Sequence, residues 1–318
     1  MNFQPTEKQI LDDLTRVGIF ATHAVPFGDG SSQSIYKIKT NTGNLTLKLF
    51  TLSNYKRVQY EITLLYKIAK YHKFTILPIH KKPIMVCGGP AYIYKFFEGK
   101  IYSDVLIKKK YYKFGVIIAE LDIALQRLPL GPIIISNSDL LNLPPQTYPN
   151  KTLNQLVVNA TKLFTKEVLT TNFNLIHKQY IHKDLHFFNI IYNVMKEKYL
   201  IIDTSGISIN FLPREISVSV GNILLDSHGN ISKNNVINLL RGYDSIMKLN
   251  KIEKRAIPLF IIQKKLGEIE YLHKQLQLAN FTKQGTEIIK KYTSLSVRTL
   301  NYVVKEYDSL VNFFSEIS

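Results

Sequence analysis

The most constraining feature of the sequence is a polar motif that leads directly into a predicted β-hairpin. Residues 182–189 read His-Lys-Asp-Leu-His-Phe-Phe-Asn, so that Asp184 and Asn189 lie five residues apart. Two apolar segments follow, at 190–194 and 199–203, and the second one ends on Asp203. We therefore expect the hairpin to hold these three polar side chains at one edge of a sheet.

Transfer of a phosphoryl group from ATP requires side chains of this kind. One carboxylate accepts the proton of the attacking hydroxyl group, while an amide oxygen and a second carboxylate hold Mg²⁺ on the phosphates. The motif thus predicts Asp184 as the catalytic base, with Asn189 and Asp203 as the metal ligands. Each residue alone would more often be structural, but residue type, spacing and local structure agree and favour phosphoryl transfer over an incidental polar hairpin.

The rest of the chain predicts an α+β fold with two lobes. After a short amphipathic helix at 6–17, strands are predicted at 35–40, 45–50, 84–87 and 91–96, with a helix at 54–71. Longer helices are predicted at 102–127, 152–177, 213–226, 233–247, 251–276 and 286–314. We therefore expect an antiparallel sheet with one packed helix in a nucleotide-binding lobe at 1–99. A mostly helical lobe at 100–318 would carry the catalytic loop and the acceptor site.

The first lobe contains a predicted grip for nucleotide phosphates. A turn rich in small residues precedes the first strand and contains Gly28, Gly30, Ser31 and Ser32. Lys48 lies on the next strand and Glu61 on the helix after it. We expect Lys48, which alternates with three leucines, to contact phosphate oxygens, and Glu61 to orient its ammonium group. Either residue alone would more often be a solvated surface residue, and only their order relative to the Asp184 motif favours the grip.

The end of the last strand in this lobe, at 93–99, is a candidate for binding adenine. Its backbone groups can hydrogen-bond an adenine edge, while the aromatic side chains of Tyr94 and Phe96 pack on the ring. An ordinary edge strand explains the same residues equally well, and both interpretations stay open.

Composition limits the classes of protein to consider. Hydrophobic residues make up 45% of the 318 residues, and no apolar run approaches the roughly 20 residues that span a bilayer. The N-terminus lacks the features of a signal peptide, and a single cysteine, Cys87, excludes an internal disulfide. We therefore expect a cytoplasmic protein with no membrane partner.

The formal net charge of +17 raises the question of nucleic-acid binding. The lysines are scattered, however, with local clusters only at 108–110 and 264–265, and no zinc-finger or RNA-binding aromatic motif is present. A solvated basic surface is therefore favoured over a nucleic-acid site, and such a surface would also attract an anionic nucleotide.

These motifs resemble the kinase-like small-molecule phosphotransferases, which include aminoglycoside phosphotransferases, choline kinase and bacterial homoserine kinase. The resemblance covers nearly the whole chain. It is strongest for the homoserine kinase branch, because the segments 239–243 and 253–258 are similar to its C-terminal helices. It implies a protein-kinase-like fold, ATP and Mg²⁺ as cofactors, and a small-molecule hydroxyl acceptor. It also implies the roles given above for the base, the two metal ligands and the lysine–glutamate pair.

Four positions differ from the usual pattern of that family. Lys183 stands where the family usually has glycine, and Thr204 with Ser205 stand where it has an aromatic residue and an acid. Asp122 replaces a common histidine. An aspartate that is common in the helix after the metal strand is missing, with Ile-Ser at 216–217 in its place. None of these changes removes a predicted catalytic group, but together they leave room for a weakened enzyme.

The preferred hypothesis is an ATP- and Mg²⁺-dependent kinase of a small molecule. The C-terminal half has more Lys and Arg than Asp and Glu, which argues against a polycationic aminoglycoside as acceptor. It suits a neutral, zwitterionic or anionic hydroxy compound better, and the resemblance favours a homoserine-like amino alcohol. Two alternatives stay open. The departures support a nucleotide-binding pseudokinase that acts as a binding module, and the charge alone supports a basic nucleic-acid binder.

Overall fold

The computed structural model describes residues 5–27, 34–130, 140, 143, 148–226, 228–277 and 283–317. The chain forms two compact units. The first comprises Met1–Val105 and Phe188–Gly206, and the second comprises Leu106–Phe187 and Ile207–Ser318. The sequence analysis expected a single boundary at residue 99, whereas the chain passes between these units at three points. The segment Phe188–Gly206 thus belongs to the first unit, although it was predicted as part of the second lobe.

The first unit is built on a five-stranded antiparallel sheet with the strand order β1-β2-β3-β5-β4. The strands are β1 (Ala21–Pro26), β2 (Ser34–Thr40), β3 (Gly43–Leu49), β4 (Ile84–Val86) and β5 (Gly89–Lys95). Two helices accompany them, α1 (Glu7–Arg16) and α2 (Tyr55–Ile68). The first helix begins at a capping box, in which Thr6 and Gln9 bind each other's backbone N–H groups.

The two faces of this sheet pack against different helices. Leu47 of β3 belongs to the hydrophobic cluster that includes residues of α1, whereas Tyr92 of β5 belongs to the cluster that includes residues of α2. Successive residues of a strand point to opposite faces. Lys48, which pairs with Tyr92 in the register of β3 and β5, therefore projects on the face that carries α2.

A three-stranded sheet with the order β6-β8-β9 completes the first unit. Its strands are β6 (Lys100–Ile101), β8 (Ile190–Asn193) and β9 (Lys198–Ile201), and the last two form the predicted hairpin. The N–H group of Ile201 also donates to the carbonyl oxygen of Phe74 over 3.0 Å. This bond and the pairing with β6 explain why the hairpin joins the first unit.

The second unit is mostly helical. Its helices are α3 (Lys110–Gln126), α4 (Lys151–Thr170), α5 (Leu212–Ile223), α6 (Lys233–Asp244), α7 (Lys251–Gln277), α8 (Lys283–Lys305) and α9 (Tyr307–Glu316). A two-stranded sheet pairs β7 (Lys178–Ile181) with β10 (Ser208–Phe211). Among these elements, α3 and α6 approach backbone to backbone. A Cβ atom on Gly115 would lie 2.0 Å from the carbonyl oxygen of Leu239, and one on Gly242 would lie 2.0 Å from that of Tyr112, so both positions require glycine.

The α+β fold class is confirmed, and the differences from the predicted elements have local causes. The predicted helix at 152–177 ends at Thr170, and the chain then forms β7, a strand of four residues that is too short to give a clear alternating pattern. The predicted helix at 286–314 is two helices that meet at Glu306. Within the described residues, no helix is both long and apolar enough to cross a membrane.

Candidate active site

Lys48, Glu61 and Asp203 come together in the first unit. The Nζ atom of Lys48 lies 3.6 Å from Oε1 of Glu61 and 3.5 Å from Oδ1 of Asp203. The lysine side chain is only 5% exposed, whereas the side chain of Asp203 is 45% exposed. Lys48 is therefore not the solvated strand lysine that its isolated position would suggest. It is a buried cation between two carboxylates, one of which is open to solvent.

Glu61 is held in place by two hydroxyl groups. The phenol of Tyr92 donates to Oε1 of Glu61 over 2.9 Å, and the hydroxyl of Thr204 donates to the same oxygen over 3.1 Å. Burial, followed by the charge of Glu61, raises the pKa of Tyr92 well above its ordinary value, so its phenol stays a donor. Thr204 is one of the four positions that differ from the pattern of the family that the sequence resembles, and its hydroxyl supports the lysine–glutamate pair.

Asp203 lies two residues beyond β9 and has a left-handed backbone, with φ of +56°. The hydroxyl of Ser205 donates to Oδ1 of Asp203 over 3.1 Å. Thr204 and Ser205, which differ from the usual pattern, therefore both support residues of the predicted site. The N–H group of Ile202, the neighbour of Asp203, donates to the carbonyl oxygen of Asn189 over 2.9 Å. This hydrogen bond links the backbone of Asn189 to the residue before Asp203, so that it holds the two predicted metal ligands near each other.

Asp184 lies in the second unit, where two basic side chains approach its carboxylate. The Nζ atom of Lys264 on α7 donates to Oδ1 over 2.8 Å, and Nε2 of His186 lies 3.6 Å from Oδ2. Partial burial alone would raise the pKa of Asp184, but the neighbouring His186 and the charge of Lys264 lower it below the ordinary value for aspartate. The carboxylate is therefore ionised and able to accept a proton.

Glu215, in the first turn of α5, holds the loop that carries Asp184. Its Oε2 atom accepts the N–H group of Lys183 over 2.8 Å. Lys183 has a left-handed backbone, with φ of +67°, and the glutamate side chain is fully buried. The sequence analysis looked for a downstream acid at 216–217 and found none. In the structure the acid that contacts the loop is the residue immediately before that position.

Asp122 of α3 is a second fully buried carboxyl group in this unit. The phenol of Tyr243 donates to its Oδ2 atom over 2.8 Å, and its Oδ1 atom has no hydrogen-bond partner among the described residues. Burial, followed by the charge of Glu215, raises the pKa of Asp122 well above its ordinary value, and burial likewise raises that of Glu215. Asp122 thus favours its protonated form, whereas Glu215, with a pKa of about 7, is partly ionised at neutral pH.

The remaining predicted residues divide into two groups. Gly28, Gly30, Ser31 and Ser32 lie outside the described residues. Tyr94 is buried in the cluster that includes residues of α2, which favours the structural interpretation of this residue. Phe96 is half-buried, with its ring 5.4 Å from that of Phe27 and 4.3 Å from Nζ of Lys37.

Three residues beside the predicted site were not identified from sequence. Tyr92 could have been found, since it occupies the position that pairs with Lys48 across the sheet. Glu215 could have been found if the acid expected at 216–217 had been allowed to lie one residue earlier. Lys264 lies far from Asp184 in the sequence, and nothing local to its helix indicates their contact.

The fold is that of kinase-like small-molecule phosphotransferases. A spectinomycin phosphotransferase in complex with ADP and spectinomycin is similar with a TM-score of 0.61 and 16% identity, over 95% of this chain and 100% of that chain. An amicoumacin kinase in complex with AMP-PNP and Ca²⁺ is similar with a TM-score of 0.60 and 13% identity, over 86% and 87% of the two chains. A choline/ethanolamine kinase family protein from Mesorhizobium loti gives a TM-score of 0.59 and 12% identity, over 92% of each chain.

No family model matches the sequence, and no curated protein matches it either. The similarities to solved structures confirm the predicted protein-kinase-like fold. At these identities they establish the fold alone, and the chemistry has to be argued from the residues themselves.

Proposed function

We propose that the protein is an ATP- and Mg²⁺-dependent phosphotransferase that moves the γ-phosphate of ATP to a hydroxyl group of a small molecule. The observation that carries this proposal is the contact of the buried Lys48 with both Glu61 and the exposed carboxylate of Asp203. A buried ammonium group between two carboxylates is held rigidly and can contact phosphate oxygens without reorganisation. The three residues occupy the strand, helix and post-hairpin positions that phosphotransferases of this fold use.

The chain offers suitable ligands for magnesium on the phosphates. Mg²⁺ prefers oxygen ligands and binds through one or two carboxylates together with phosphate oxygens and water. Among the described residues, no group of three His, Cys, Asp or Glu side chains forms a complete metal cage, and Mg²⁺ does not need one. Asp203 and Asn189 would hold the ion, which neutralises charge on the phosphates when bound. Ser205, through its hydrogen bond to Asp203, would keep that carboxylate oriented.

Asp184 is the proposed catalytic base. As the acceptor oxygen bonds to the γ-phosphorus and the bond from that phosphorus to the leaving oxygen of ADP breaks, the hydroxyl proton passes to the carboxylate of Asp184. A loose transition state demands little of the base beyond position, so the low pKa of Asp184 is compatible with the role. Glu215 positions the loop by accepting the N–H group of Lys183.

The acceptor is proposed as a small hydroxy compound. A homoserine-like amino alcohol is supported only by the similarity of two C-terminal segments to one branch of the family. A pseudokinase is the competing proposal, but the contacts of Thr204 and Ser205 with the predicted site weaken the case for it, because these departures support Glu61 and Asp203. We also propose Phe96, more than the buried Tyr94, as the aromatic contact for adenine.

Calorimetric titration of ATP with and without Mg²⁺ tests this function. Magnesium should strengthen ATP binding to the wild type, and Asp203→Ala should abolish the gain, while Asp12→Ala, an exposed acid of the same unit, should retain it. Asp184→Asn should bind ATP normally but lose turnover by a factor on the order of 10² or more. Equal, metal-independent ATP affinity in the wild type and in Asp203→Ala would instead support the pseudokinase.

A further inference from the structure

Three basic residues lie on or near the loop that carries Asp184. Lys183 directly precedes this residue, Arg214 precedes Glu215 on α5, and Lys264 contacts Asp184 from α7. All three are half-buried, so they are partly withdrawn from water but still within reach of a ligand. They come from three separate elements of the second unit, and both Arg214 and Lys264 lie near enough to Lys183 for their charges to act on it.

Two of these cations have no ion-pair partner within the part of the chain that the structure describes. Neither Lys183 nor Arg214 forms an ion pair with a carboxylate among the residues that the structure describes. Burial lowers the pKa of both, and the charges of Arg214 and Lys264 lower that of Lys183 further, whereas the charge of Glu215 acts on both in the opposite direction. Half-buried cations that repel one another are unfavourable unless an anion joins them.

The carboxylates nearby balance this charge only in part. Burial raises the pKa of Glu215 to about 7, so this acid is only partly ionised at neutral pH. Glu268 is already bound by Lys265 over 2.7 Å and by the hydroxyl of Ser296 over 2.9 Å, and it lies 3.6 Å from Lys264. Asp184 is therefore the main counter-ion of Lys264, and it must turn to the acceptor hydroxyl when it acts as the base.

We infer that Lys264, Lys183 and Arg214 form an anion-binding subsite, so that the acceptor carries a carboxylate or phosphate group beside the hydroxyl that is phosphorylated. This inference rests on the proposed function and narrows its acceptor class. An anionic group would pair with Lys183 and Arg214 and replace Asp184 as a partner of Lys264. A cationic acceptor would meet repulsion from all three side chains.

The binding experiment uses inorganic sulfate as the probe, at constant ionic strength, on the protein saturated with AMP-PNP and Mg²⁺. The nucleotide fills the phosphate-binding positions first, so that sulfate reports on a separate subsite. Sulfate should bind the wild type, and Lys264→Met should weaken its affinity by about tenfold or more, which is the effect of losing one charge-assisted hydrogen bond. Lys274→Met, which removes an exposed lysine paired with Glu270 on the same helix, is the matched control and should bind sulfate like the wild type.

The acceptor experiment compares four compounds with one carbon skeleton: glycerol, glycerate, glycerol 3-phosphate and 3-aminopropane-1,2-diol. With ATP and Mg²⁺, the two anions should be phosphorylated with higher kcat/KM than glycerol, and the amine should be the poorest. The relative rates of glycerate and glycerol 3-phosphate distinguish a carboxylate from a phosphate as the recognised group. Lys264→Met should remove the preference for anions chiefly through a higher KM for the acceptor.

The outcomes separate this inference from the proposed function. Failure of the wild type to bind AMP-PNP would refute both. Normal AMP-PNP binding without Lys264-dependent sulfate binding would refute the anion subsite alone. A faster reaction with glycerol or the amine than with either anion would also refute the subsite.

Discussion

Acidification should destabilise the first unit through His72, which lies just after α2. The side chain is 5% exposed. Its Nδ1 atom lies 2.8 Å from the hydroxyl of Thr75, and its Nε2 atom lies 3.2 Å from the phenol oxygen of Tyr199 on β9. Burial lowers the pKa of His72 from 6.5 to about 4. The histidine therefore links α2 to the hairpin that leads to Asp203, and it does so as a neutral ring.

The size of the effect follows from the difference between the two pKa values. In the unfolded chain His72 takes up a proton below about pH 6.5, whereas in the folded protein it does so only near pH 4. The folded state is thus favoured above the unfolded pKa, and this stability is lost as the pH falls towards 4. A tenfold change in proton affinity is worth about 1.4 kcal/mol. The full loss is therefore about 3 kcal/mol, of which about 2 kcal/mol is reached near pH 5.

The assay is urea unfolding followed by circular dichroism at about pH 7, 6 and 5. The decisive quantity is the change in unfolding free energy with pH, compared between the wild type and His72→Gln, because glutamine does not titrate. The variant should lose about 2 kcal/mol less than the wild type between pH 7 and pH 5. His228→Gln, in an exposed turn, should behave like the wild type. Equal pH dependence in the wild type and His72→Gln would refute the reasoning.

Two further predictions concern residues that support the proposed site. Thr204→Val should weaken binding of ATP with Mg²⁺ and lower the unfolding free energy by about 1–3 kcal/mol, because a hydrogen bond to the buried carboxylate of Glu61 is lost. Calorimetry would measure the binding and urea unfolding the stability. The prediction is contradicted if Thr204→Val behaves like the wild type, or if Thr204→Ser, which keeps the hydroxyl, is impaired equally. Burial raises the pKa of Glu215, so the stability that it contributes is present at low pH and lost as the pH rises above its unfolded value. Glu215→Gln keeps an acceptor for the N–H group of Lys183 but does not titrate, so the variant should lose less stability than the wild type between about pH 5 and pH 8. Equal pH dependence of the unfolding free energy in the variant and the wild type would contradict this prediction.

The β8–β9 hairpin and the lysine–glutamate pair were predictable because their signals are local. Apolar strands flank Asp203, and alternation along β3 fixes the face from which Lys48 projects. The resemblance to kinase-like phosphotransferases then supplied the fold, which the solved structures confirm. The glycine-rich turn before β2, by contrast, stays a prediction because it lies outside the described residues.

The contacts around Asp184 were not predictable because they depend on tertiary packing. Lys264 lies on α7, a helix whose sequence gives no sign that this lysine faces a carboxylate. The division into units also escaped prediction, since the backbone bond from Ile201 to Phe74 joins segments that are distant in the chain. Hydrophobic periodicity indicates which face of an element is buried, but it does not indicate which other element packs against that face.

Backbone strain supplies an independent reason to favour an enzyme over a binding module. Among the described residues, five non-glycine residues have positive φ, and two of them are Lys183, next to the proposed base, and Asp203, a proposed metal ligand. Such conformations cost on the order of 1–3 kcal/mol and persist only where neighbouring contacts enforce them. Glu215 enforces the first through the N–H group of Lys183, and Ser205 holds the carboxylate at the second. Lys183 is also where the phosphotransferases that the sequence resembles usually have glycine, which would adopt this backbone without steric cost. The strained loop geometry is therefore kept even with a lysine in it, as expected if the positions of Asp184 and Asp203 matter for the chemistry of the site.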